Sequence, residues 1–185
     1  MLSDQMDSFV WPSEFACTIV TENLILPNVY GISLGLEPNT SNTDEINLGF
    51  KKLKYFINYY LQNSILVHQD TSISKSLVGL NNNLVFLPAD PYDYLIGSIL
   101  YRKFSVIAEK CFDIVFLGID SSVGDRVQYT ITGNNEIDID LTGNVWWNED
   151  SVNTGKNAHP SWEDLDLKDP PKFSPVVIKG GRSEN

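Results

Sequence analysis

Residues 112–141 read FDIVFLGIDSSVGDRVQYTITGNNEIDIDL, and the fold class turns on how this stretch is read. Residues 112–119 are apolar on both alternating sets, as in a central strand covered on both faces. Residues 121–126 make a turn. Residues 127–132 (VQYTIT) then alternate apolar with polar, the pattern of a half-exposed antiparallel strand. After Gly133-Asn134-Asn135 the chain alternates again, with Glu136, Asp138 and Asp140 set against Ile137, Ile139 and Leu141. Three consecutive antiparallel strands are predicted.

Working outward, Asp90-Pro91 predicts a helix start, with Pro at the first position where its missing N–H costs nothing. Leu95, Ile96, Ile99, Leu100, Phe104 and Ile107 give that helix a broad apolar face. Upstream, Ile46, Phe50, Leu53, Ile57, Tyr60 and Leu61 recur at helical spacing after an Asn42/Glu45 capping pair and predict a helix to about Gln62. Lys51, Lys52 and Lys54 fall on its solvated face. Residues 16–26 (ACTIVTENLIL) and 29–36 (VYGISLGL) predict a hairpin turning at Pro27-Asn28. Residues 64–67 read as a strand or a helix extension. Residues 76–80 and 84–87 predict a second hairpin through Asn81-Asn82-Asn83. The expectation is an α+β fold: a mainly antiparallel sheet with two principal helices packed on it.

Residues 1–142 form the predicted body, with 1–12 as a lead-in arm. Residues 143–185 differ in kind, with no regular period and with three of the four tryptophans. They read as an extended, acidic C-terminal arm.

The 185 residues carry 24 acids and 13 bases, a net charge of -11. Residues 136–169 hold nine acids and two bases, a net -7, so the rest of the chain is only -4. Such a charge argues against direct nucleic-acid binding. The first seven residues lack the basic and apolar regions of a secretory signal, and no apolar run is long enough to span a bilayer. A cytoplasmic protein with no membrane attachment is expected. Cys17 and Cys111 read as buried free thiols.

No nucleophile elbow, phosphate loop or dinucleotide fingerprint is present, and no cofactor is indicated. Trp146, Trp147, Trp162, Glu163, Asp164, Leu165, Asp166, Leu167 and Phe173 mark a partner-binding arm, since aromatics interleaved with acids suit an apolar groove rimmed by basic residues. Glu136, Asp138 and Asp140 form an acidic face, roughly 6.8 Å apart if on a strand. The leading expectation is therefore a non-enzymatic interaction or structural subunit of a larger assembly, viral structural or accessory proteins included. It would dock through the arm onto a protein partner or neighbouring subunit, as an oligomer or hetero-assembly. Two alternatives are an acidic mimic of nucleic acid that fills a basic enzyme site, and a metal-dependent hydrolase or transferase using Asp138, Asp140 and perhaps His68. His68-Gln69-Asp70 could pair an imidazole with a carboxylate, while His159 reads as a docking contact.

Overall fold

A computed structural model of the chain describes residues 8–79, 83–134, 137–152, 162 and 165. Its first two strands, β1 (Phe9–Val20) and β2 (Ile25–Pro38), form a long antiparallel hairpin. The turn falls at residues 21–24, closed by the Thr21 amide on the Leu24 carbonyl, and not at Pro27-Asn28 as expected. Pro27 stays inside the ladder, opposite Thr18. The fifth strand joins β2 only from Tyr30 onward, so a proline at position 27 interrupts no second ladder. Pro12 is accommodated in the same way, because the third strand joins β1 only at Cys17. The expected lead-in arm thus enters the sheet at Phe9.

Helix α1 (Thr43–Phe56) begins at Asn42, whose side chain accepts the Asp44 amide. Only half of the capping pair forms, since Glu45 takes the Thr40 hydroxyl at 2.6 Å. The helix runs on as a π-turn (Ile57–Leu61) and then turns at Asn63, whose positive φ of 59° sends the chain into β3 (Ser64–His68).

Residues 72–77 form the short helix α2 (Ser72–Leu77) where a strand beginning at residue 76 was expected; Asn81 and Asn82 lie outside the described residues. Thr71 caps α2 by accepting the Ser74 amide, and Ser74 donates its hydroxyl to the Gln69 carbonyl. These local bonds favour a helical turn over a ladder. α2 makes the connection from β3 to β4 (Leu84–Leu87) a crossover, so β3 and β4 pair in parallel, and β3 pairs in parallel with β1. β5 (Phe112–Ser121) and β6 (Tyr129–Ile131) complete the order β4-β3-β1-β2-β5-β6. The fold is α+β as expected, but the sheet is mixed and not mainly antiparallel. The third strand read at 136–141 is absent: Ile137 and Ile139 pack on the core and Leu141 is buried, yet the segment joins no ladder among the described residues.

Helix α3 (Asp93–Ala108) is the centre of the fold. Its Gly97 sits where a Cβ would lie 2.8 Å from Ile119 of β5 and 3.1 Å from Ile131 of β6, so glycine sets the closeness of helix and sheet. The helix starts after Tyr92, not at Asp90, and has no side-chain cap. No described helix is long and apolar enough to cross a membrane. Cys17 and Cys111 are both buried free thiols.

Candidate functional site

Ser98, Tyr101, Arg102 and Ser105 stand at intervals of three and four on α3 and therefore share one face. Ile131, Thr132 and Gly133 at the end of β6 oppose them, and Ile137, Leu141 and Asn148 close the far side, leaving a cleft of about 300 Å³. That is the lower end of small-molecule sites.

The polar groups of this cleft are largely committed as donors. Ser98 donates to the Tyr94 carbonyl at 2.8 Å, Ser105 to the Tyr101 carbonyl at 2.8 Å, and Tyr101 to the Ile114 carbonyl at 3.0 Å. The Asn148 amide nitrogen donates to the Leu141 and Gly143 carbonyls. Their oxygens keep acceptor capacity only. Arg102, half-buried, is the guanidinium among them, and no carboxylate hydrogen-bonds it among the described residues. Asp140 senses it from a distance: its carboxyl is held below the usual range by the Thr142 hydroxyl and amide first, and then by Arg102. The cleft thus offers one cation, several acceptors and an aliphatic lining of Val106, Ile131, Ile137 and Leu141.

The outer wall is fastened by the tryptophans of the expected arm. Trp147 Nε1 donates to the Leu141 carbonyl at 2.9 Å, and Trp146 Nε1 to the Phe86 carbonyl at 2.8 Å. Lys103, wholly buried on α3, donates to the Trp146 and Glu149 carbonyls at 2.8 Å each, with its ammonium over the Phe56 and Trp146 rings. Burial lowers its pKa to about 7 against the opposing pull of Glu149 and Asp150. The six buried Leu, Ile and Phe side chains on the same helix, worth roughly 1.5–3 kcal/mol each, outweigh the several kcal/mol that one buried ammonium costs. Trp162 is buried too, donating to Asp150 at 2.8 Å under the Lys52 ammonium, and Leu165 packs on the core. Glu163, Asp164, Asp166, Leu167, Phe173 and His159 lie outside the described residues.

Glu136 also lies outside them. Asp138 and Asp140 are exposed on an irregular segment, so the strand that would have aligned three carboxylates does not form. No group of three metal-ligating side chains occurs among the described residues. His68 Nδ1 stands 3.6 Å from Asp90, not beside Asp70.

A second polar cluster joins α3 to the sheet. Asp93, in the first turn of α3, accepts Tyr30 Oη at 3.1 Å and Ser121 Oγ at 2.7 Å. Asn28 Oδ1 accepts from the Val29 and Val123 amides and from Ser122, which fixes the amide's orientation. Its buried Nδ2 has no acceptor in hydrogen-bonding geometry among the described residues. Cys17 lies opposite Asn28 in the ladder. Burial and then Asp93 push its thiol up to about 12, and the same two causes raise Tyr30. Both groups keep their protons at neutral pH, so the cluster holds no thiolate nucleophile and serves as a brace.

No protein-family model matches the chain, and no curated protein matches it. Among solved structures it is similar to 6-pyruvoyltetrahydropterin synthase from Plasmodium vivax, in a form carrying a substituted catalytic residue. The identity is 14%, the alignment covers 69% of this chain and 98% of the other, and the TM-score is 0.43. The similar chain is an enzyme, and the comparison gives the expectation of a non-enzymatic structural, assembly or viral protein no support. Trp146, Trp147 and Trp162 pack into the core of their own chain. The strand that was to align the acids of the mimic and metal-hydrolase alternatives does not form among the described residues.

Proposed function

We propose that the chain binds a small organic anion in the cleft beside α3. The observation that carries this reading is Arg102, a guanidinium without a carboxylate hydrogen bond among the described residues, set amid hydroxyl and amide oxygens that can only accept. A ligand suited to it has a carboxylate or phosphate for the planar fork of Arg102 and an N–H or O–H donor for Ser98, Ser105 or Asn148. The aliphatic lining takes its carbon skeleton. α-Amino and α-hydroxy carboxylates are the simplest molecules of this description.

Calorimetric titration with glutamine, lactate and inorganic phosphate tests the reading. An amino or hydroxy carboxylate is expected to bind, and Arg102→Met to weaken it by about ten- to a hundredfold, the worth of a charge-assisted hydrogen bond. Absence of binding by all three, or equal binding by the variant, overturns it.

A further inference from the structure

The N-terminal half of β1 and the exposed side of α1 enclose a second cleft, of about 520 Å³, lined by Trp11, Asn47, Phe50, Lys51 and Lys54. We propose that this cleft is a mononucleotide site, separate from the Arg102 cleft, in which Trp11 stacks on the base and Lys51 and Lys54 hold the phosphate.

Asn47, Phe50, Lys51 and Lys54 follow one another at helical spacing, so a single face of α1 presents all four. Phe50 supports Trp11 edge-on, with ring centroids 5.8 Å apart and planes at 78°. Trp11 is half-buried, which leaves part of the indole for a planar partner. The three lysines of this helix are not equivalent. Lys52 is committed to Asp150 at 3.5 Å and lies 5.3 Å from the Trp162 ring. Lys51 and Lys54 are exposed and have no carboxylate partner among the described residues. In a chain of net charge -11, two such cations beside an indole select an anion joined to a flat ring. Asp44, one turn earlier on α1, is the acid that faces this side of the helix and disfavours a second anionic group there.

Asn47 supplies the base-reading element, since a side-chain amide both donates and accepts and matches the paired edge of a purine. β3 joins β1 only from Cys17, so the main chain of 9–15 has no strand on that edge among the described residues and offers further polar groups beside the ring. Base stacking on an aromatic side chain adds about five- to 150-fold in affinity, enough that neither the phosphate nor the base alone should account for the affinity.

The test is titration of the full chain with adenosine 5′-monophosphate, adenosine and inorganic phosphate, read by calorimetry and by quenching of tryptophan fluorescence. The monophosphate is expected to bind more tightly than either part. Lys51→Gln with Lys54→Gln should weaken it about tenfold and flatten its salt dependence, and Trp11→Leu should abolish the quenching. Both lysines are solvent-facing, so an unchanged thermal midpoint confirms that the double variant folds. Phosphate binding as tightly as the monophosphate, or equal binding by the double variant, overturns the proposal. So does a loss of binding in Arg102→Met with none in the double variant, which would place the ligand in the other cleft.

Discussion

Trp146→Ala is expected to remove about 3 to 5 kcal/mol of folding stability, a large part of what a domain of this size has. The indole is 5% exposed, lies against Phe56 with centroids 6.5 Å apart, and meets Trp147 edge-on at 5.5 Å. Its truncation opens a cavity between α1 and α3. It also strips the Phe86 carbonyl of its donor and takes one of two aromatic faces from the Lys103 ammonium. Trp146→Phe keeps a ring but no N–H, and should cost about 1–3 kcal/mol, the range for one unsatisfied buried acceptor. Urea unfolding with an unchanged m-value measures both. A tryptophan on a free arm would change stability by no more than about 0.5 kcal/mol, so a null result in both variants separates the two pictures.

Lys103→Met should flatten the dependence of stability on pH between about 7 and 10.5. The folded-state pKa is lowered from the ordinary 10.5 to about 7. Below about pH 7 the folded and unfolded chains both carry the proton, and this group adds no slope. Between 7 and 10.5 the unfolded chain binds a proton that the folded chain has released, so stability rises with pH. Above 10.5 both are neutral and the gain is complete. At about 1.4 kcal/mol per unit the full gain is of order 3 to 5 kcal/mol. The neutral amine still has two N–H groups for the Trp146 and Glu149 carbonyls, so deprotonation relieves the buried charge without breaking the fastening. Glu149 and Asp150, which pull the other way, limit the shift. The difference between wild-type and Lys103→Met profiles, taken from urea midpoints at several pH values, isolates the effect. Parallel profiles would show that the lysine is not buried as described.

The two principal helices were legible because each has a long apolar face and β5 because it is apolar on both sides. The polarity of the sheet was not. A six-residue helix held by Thr71 and Ser74 leaves too short a period to distinguish from a loop, and that short helix makes β3 and β4 parallel. Residues 137–141 kept the inward and outward alternation that was read in them, but alternation reports sidedness and not a hydrogen-bonded partner. The cleft was partly visible as Ser98, Tyr101, Arg102 and Ser105 on one helical face. Its other wall comes from an irregular segment that no periodicity announces. Nothing local to α3 announces that the Phe56 and Trp146 rings cover Lys103.

Residues 137–152 form a wall of the core and of the Arg102 cleft. Hydrogen exchange of the free, full-length chain by NMR tests this most directly. The indole N–H groups of Trp146 and Trp147 and the Asn148 amide, bonded to the Val145 carbonyl, should be protected as strongly as the amide of Phe104 in the middle of α3. Exchange of those three at the rates of an unstructured peptide, while Phe104 stays protected, would contradict it.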